Sequence, residues 1–131
     1  MQSLLNKKIV LGISGGIAAY KSADLARQLI QEGASVQVVM TQAAQQFVTP
    51  VTMQALTGNP VYTSQWDSSI ANNMAHIELS RAADAILIAP ASADLMAKLS
   101  LGFADVLLTT LCLAGDFTLL LARALNLKMW L

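Results

Sequence analysis

The chain has 131 residues, enough for one domain spanning residues 1–131. Apolar residues make up 55%, charged ones only 12%, and the formal net charge is zero; this leaves no basic surface for nucleic acid and points to apolar surface buried against other subunits. The lone cysteine, Cys112, excludes an intrachain disulfide and fits a reducing, cytoplasmic compartment.

Lys7-Lys8 before an apolar stretch superficially resembles a signal peptide, but Gly12, Gly15 and Gly16 interrupt the run and an amphipathic pattern continues past it. No uncharged apolar run approaches the ~18 residues of a membrane span. Ile9 to Ile13 reads as a buried strand, short, β-branched and apolar on both faces. Ile17 to Gln31 reads as one helix with Ile17, Tyr20, Leu25 and Leu29 near one face, stopped by Gly33. Val36 to Met40 is a second strand, and residues 43–56 look helical with a break before Pro50. Gly58-Asn59-Pro60 is a turn, and Thr63 to Asn73 is a polar loop.

His76 to Ala82 predicts a short helix, and Ala85 to Ala89 a third strand ended by Pro90. Helices over Ala93–Leu101 and Ala104–Leu113 precede a fourth strand, Thr118–Ala122. Strands alternating with helices imply an α/β fold, an open parallel sheet covered by helices on both faces. Ligands of such sheets sit beyond the carboxyl ends of the strands. Those ends here are Ser14-Gly15-Gly16, Thr41, Pro90-Ala91-Ser92 and the segment after Ala122. Glycines admit close backbone approach, a following helix presents N–H groups to an anion, and Ser14, Thr41 and Ser92 add hydroxyls. A mononucleotide phosphate would fit, yet "SGGIAAYK" is neither G-x-G-x-x-G nor a Walker loop, so spacing alone leaves nucleotide binding and plain packing both open.

His76 is the only histidine, and by pattern it is either structural or an acid/base group. One His and one Cys do not make a structural zinc site, so no metal is expected. Cys112 lies in "LLTTLCLA" and reads as a buried, inert thiol; the methionines, Trp66 and Trp130 read as core or interface groups.

The motifs S-G-G-I-A-A-Y-K, H-I-E-L and A-P-A-S-A-D, in that order and followed by M-W near the end, resemble the homo-oligomeric flavin-containing cysteine decarboxylase family along nearly the whole chain. The resemblance implies a Rossmann-like flavoprotein fold and noncovalent FMN held by Gly15, Gly16, Ile17, Thr41, Ser92, Ala93, Asp94, Leu95 and Ala124. It implies FMN-dependent decarboxylation of phosphopantothenoylcysteine to phosphopantetheine in coenzyme A biosynthesis, with His76 as the catalytic acid/base, Asn126 catalytic and binding the substrate carboxylate, and Met129 substrate-binding. It also implies a trimer-based homo-oligomer. The fold is shared by flavin-binding proteins without turnover and by flavin prenyltransferases; H-I-E-L and M-W favour the decarboxylases.

The end of the chain departs from the family motif P-A-M-N-x-x-M-W. Arg123 replaces Pro and Leu125 replaces Met, while Asn126, Met129 and Trp130 are kept. The family continues past M-W into a substrate-covering clamp with a reactive cysteine, so a chain ending at Leu131 is expected to be C-terminally truncated and uncertain in turnover.

Overall fold

The computed structural model describes residues 2–64, 75–115 and 117–124, with the side chains of residues 75–77 left out. Five parallel strands form one sheet in the order β3-β2-β1-β4-β5. They are β1 (Lys8–Ile13), β2 (Ser35–Met40), β3 (Val61–Tyr62), β4 (Ala85–Ala91) and β5 (Thr118–Arg123). The helices are α1 (Lys21–Gln31), α2 (Pro50–Thr57), α3 (Ala75–Ala82), α4 (Ala93–Leu101) and α5 (Leu107–Ala114).

The central strand explains why its sequence is apolar without alternation. β1 bonds to β2 on one side and β4 on the other, with Ile9 opposite both Val36 and Ala85. Successive side chains enter opposite layers. Ile9, Leu11 and Ile13 join Val38, Met40, Ala26 and Met53 beneath α1 and α2. Val10 joins Val39, Ile86, Ile88, Leu95, Leu108 and Leu111 beneath the other helices. Truncating a side chain such as Leu11, wholly buried, costs about 2–5 kcal/mol. Gly12 lets α5 seat directly on β1, since a Cβ there would stand 2.7 Å from Leu108 Cδ1.

Several expectations are corrected. Residues 17–31 are not one helix: Ile17–Tyr20 is a 3₁₀ turn and α1 begins at Lys21. In a 3₁₀ turn positions i and i+3 eclipse, which puts Ile17 and Tyr20 together on the outside, 79% and 62% exposed, while Ala19 takes the buried place. Gly33, at φ 98°, does end this segment, as only a residue without Cβ adopts that angle cheaply. Ala43–Gln46 is likewise a 3₁₀ turn, and the break before Pro50 is the start of α2, capped by Thr49, whose Oγ1 accepts from the Thr52 N–H at 3.3 Å.

Pro90 does not end β4, which runs to Ala91 through a cis Ala89–Pro90 bond. The proline falls where the β4–β5 register shifts, between Ile88 and Ala91, so its missing N–H is not required by the ladder. The helix expected from Ala104 begins at Leu107, because Val106 is extended and its N–H bonds to Thr109 Oγ1 at 3.3 Å. Val61–Tyr62 is a strand the sequence reading left out; two residues carry no periodicity. Of the expected loop from Thr63 to Asn73, Thr63 and Ser64 lack regular structure and the rest lies outside the described residues. Cys112 is half-buried rather than buried, packed on the α5 side of the core. No helix among the described residues is long and apolar enough to cross a membrane.

Candidate functional site

The chain leaves β1 toward β2 on one side and reaches β4 on the other, so the crevice beyond β1 and β4 is the switch point where open sheets take ligands. Ser14 closes the floor of that crevice. Its N–H donates to the Pro90 carbonyl at 3.2 Å, its Oγ donates to the same carbonyl, and it accepts from the Ser92 N–H at 2.8 Å. Buried to 1% exposure, this hydroxyl is spent on joining two strand ends and is not a ligand donor.

Thr41 and Ser92 do different work. Thr41 Oγ1 accepts from the Ala44 N–H at 3.1 Å, and Ser92 Oγ accepts from the Leu95 N–H at 3.2 Å as N-cap of α4. Both oxygens hold the start of a helical segment, so each O–H hydrogen is what the residue can offer an anion. The first turn of α4 adds backbone N–H groups.

Above this floor lies a cleft of about 670 Å³. Its walls are Gly15, Thr41, Gln42 and Ala43 on one side and Ser92, Ala93, Asp94 and Leu95 on the other, with Gln46, Lys98 and Val106 completing them. Gly15 is required by close approach: a Cβ there would lie 2.6 Å from Ala43 Cβ. Past Thr41, Gln42 and Val106 the cleft meets a side lobe of about 380 Å³ bordered by Thr63, Ser64 and Asp105.

One ion cluster ties the cleft walls together. Lys98 Nζ lies 2.9 Å from Asp105 Oδ2 and 3.4 Å from Asp94 Oδ2. The hydrogen bond to Asp105 raises the Lys98 pKa, and the same bond lowers that of Asp105. Thr109 Oγ1 also donates to Asp105 Oδ1 at 3.3 Å, fixing the entrance to α5 beside the cleft. Burial pushes the Cys112 thiol up to about 11, which keeps it protonated and unreactive near neutrality.

The positions singled out from the sequence separate into groups. Gly15, Thr41, Ser92, Ala93, Asp94 and Leu95 meet in the main cleft. Gly16 and Ile17 belong to the same turn but are not among its lining residues, and Ala124 lines a second cleft on the α1 side of β4. His76 lies in the first turn of α3, its side chain outside the described residues; Asn126, Met129 and Trp130 also lie outside them. The sequence reading missed Gln42, Ala43, Gln46, Lys98 and Val106. Only Lys98 carried a signal, its i,i+4 spacing from Asp94 on a helix.

The cleft fits a flavin mononucleotide on its own terms. Its volume falls within the roughly 300–1,000 Å³ of small-molecule sites, Ala43, Ala93, Leu95 and Val106 give apolar walls for a ring system, and hydroxyls with helix N–H groups suit a phosphate.

Comparison with known proteins identifies the family. The flavoprotein family model matches residues 1–131. The Coenzyme A biosynthesis bifunctional protein CoaBC of Vibrio parahaemolyticus is 55% identical over 130 residues, covering 99% of this chain and 33% of that protein. The chain thus spans about a third of the length of that relative. The "Probable phosphopantothenoylcysteine decarboxylase" of Streptococcus mutans is 45% identical over 128 residues, covering 96% of this chain and 72% of the other. Among solved structures, a PPC decarboxylase mutant complexed with pantothenoylaminoethenethiol superimposes with a TM-score of 0.81 at 32% identity, covering 95% of this chain and 70% of that one. The FMN binding protein AtHal3 does so with a TM-score of 0.83 at 33% identity, covering 95% and 69%.

Proposed function

This chain belongs to the flavoprotein family, and on that premise we propose that it binds FMN in the main cleft and decarboxylates phosphopantothenoylcysteine to phosphopantetheine in coenzyme A biosynthesis. The observation that carries the reading is convergence: Gly15, Thr41 and Ser92 to Leu95, taken from three strand ends, line one cleft at the switch point of the sheet.

An N-acylated cysteine cannot form a Schiff base, so loss of CO2 needs another electron sink; bound FMN supplies a two-electron acceptor and donor for the CH2–SH side of the substrate. The protein's share is to hold and to move protons. The capped start of α4 and the Thr41 hydroxyl bind the phosphate-bearing cofactor, while Ala43, Leu95 and Val106 keep water from its ring. His76, in the first turn of α3, exchanges the thiol proton, a task for which an imidazole can both donate and accept. Asn126 would bind the substrate carboxylate, and Met129 is a further substrate-binding residue of the same motif.

A trimer-based homo-oligomer belongs to the same reading. Its support is the amount of large apolar surface left in water, including Ile17, Tyr20, Phe47 and Val51. The cytoplasm is the compartment in which a chain with one free thiol and a small phosphorylated substrate would work.

The test is direct. Purified protein should carry FMN and release CO2 from phosphopantothenoylcysteine. His76→Asn should keep the flavin and lose CO2 release, since the amide keeps polarity but exchanges no proton near pH 7. Flavin bound with no CO2 release by the unmodified chain would replace this reading with a flavin-binding protein lacking turnover. Turnover of dimethylallyl phosphate would replace it with a prenyltransferase.

A further inference from the structure

The turn that joins α4 to α5 supplies a wall of the main cleft, yet packing alone does not place it. Gly102 ends α4 at φ 75°, and Leu101 to Asp105 are all exposed. The first core residue after the turn is Leu107. Val106 stands between, half-buried and extended at φ −130°, and it lines both the main cleft and the side lobe. The chain therefore enters this wall position from a run of residues with little buried contact to fix it.

Polar bonds make up the difference. Lys98 Nζ reaches from α4 across the turn to Asp105 Oδ2 at 2.9 Å. The other oxygen of that carboxylate accepts from Thr109 Oγ1 at 3.3 Å, and the same hydroxyl accepts from the Val106 N–H at 3.3 Å. Thr109 is wholly buried in α5, so one end of this series of bonds is anchored in the core. The other end is Lys98, whose side chain is 29% exposed and which lines the main cleft. Asp94 also approaches its ammonium, at 3.4 Å. Without the charge of Lys98, the two carboxylates gathered on it would repel, and Asp105 would be pushed away from α4. A cation in this cleft could also bind a cofactor phosphate directly. Against that, the ammonium already stands between two carboxylates, and the cluster carries net negative charge toward an incoming anion.

We propose that Lys98 is a positioning residue of the main cleft: through Asp105 it holds Val106 in place as a wall facing the ring of the bound flavin. The identity of that ligand rests on the FMN reading. Lys98 acts on the ring through Val106 and not on the phosphate.

The experiment measures FMN and riboflavin binding to the flavin-free full chain, unmodified and as Lys98→Met, Lys98→Arg, Val106→Ala and the Lys98→Met/Val106→Ala pair. Amide hydrogen exchange is followed on the same ligand-free samples. Met keeps the apolar stem and removes the charge, whereas Arg keeps the charge. Riboflavin has the ring without the phosphate, so Lys98→Met should weaken both flavins by the same factor, roughly threefold to tenfold. Lys98→Arg should bind both within about twofold of the unmodified chain. In the Val106→Ala background, Lys98→Met should have less than about half its effect on the logarithm of the affinity. The Val106 amide should exchange faster in Lys98→Met, with the amides of β1 unchanged. A loss confined to FMN would make Lys98 a phosphate ligand and overturn the proposal. Additive effects in the pair, or unchanged exchange at Val106, overturn it as well. An unmodified chain that binds neither flavin sinks the FMN reading. The tether is then decided by exchange alone: faster exchange at Val106 sustains it, and unchanged exchange overturns it.

Discussion

The Ser14 hydroxyl links the ends of β1 and β4, donating to the Pro90 carbonyl and accepting from the Ser92 N–H at 2.8 Å. Ser14→Ala removes the acceptor of the Ser92 N–H at the N-cap of α4, while the Pro90 carbonyl keeps its bond from the backbone N–H of residue 14. Leaving such an N–H unmatched costs about 1–3 kcal/mol. The expected outcome is a lower urea midpoint with an unchanged slope, together with weaker flavin retention because the floor of the cleft loosens. An unchanged midpoint would show that the linkage carries no stability.

Gly15 and Gly16 are adjacent but should respond differently to alanine. A Cβ on Gly15 meets Ala43 Cβ at 2.6 Å, so Gly15→Ala should destabilise the protein by about 1–3 kcal/mol even without ligand. Gly16 has extended backbone at φ 172° and no atom within 4 Å of its would-be Cβ, so Gly16→Ala should leave ligand-free stability within about 0.5 kcal/mol. Loss of flavin affinity in Gly16→Ala at unchanged stability would place the ligand against that turn; full affinity would place it elsewhere in the cleft. Melting curves with and without FMN report both.

The Lys98–Asp105 pair predicts a pH signature. Asp105 is held below its ordinary 3.8, so its contribution is present above that value and is lost as pH falls through the lower folded one. Lys98 is held above its ordinary 10.5, so its contribution is present below that value and is lost as pH rises through the higher folded one. Lys98→Met should therefore be less stable than the unmodified chain at pH 7, and the gap should close on acidification well below 3.8. Both groups are partly exposed, so the gap is small and narrows in about 1 M salt. A gap independent of pH would mean that Lys98 acts by packing alone.

Cys112 should behave as a silent thiol. With its pKa pushed up to about 11, roughly a thousandth of it is thiolate at pH 8. Alkylation by iodoacetamide in the native state should be slow at pH 8 and accelerate as pH approaches 11. Rapid stoichiometric labelling at pH 8 would contradict the burial that raises the value.

Much of this arrangement could be read before any coordinates. Ile9 to Ile13 is apolar at every position because both faces of a central parallel strand are covered, and the strand-end hydroxyls Thr41 and Ser92 stand where the periodicity breaks. Ile17 and Tyr20 were misread for a definite reason: a 3₁₀ turn and an α-helix assign the same residues to different faces, and short apolar runs do not distinguish them. The contact of Lys98 with Asp105 escaped because it depends on how the chain returns from α4 to α5, not on spacing within one helix. Ala124 falls beside the second cleft because β4 continues through Pro90, carrying the end of β5 to the α1 side.

β5 is bonded to β4 along one edge, and its 6 residues, from Thr118 to Arg123, are all exposed. Amide hydrogens of this outermost strand should exchange with solvent well before those of β1, because opening it gives up little buried area. The two clefts therefore differ in their walls: the main one lies beyond β1 and β4, each bonded on both sides, and the other is bordered by the edge strand β5.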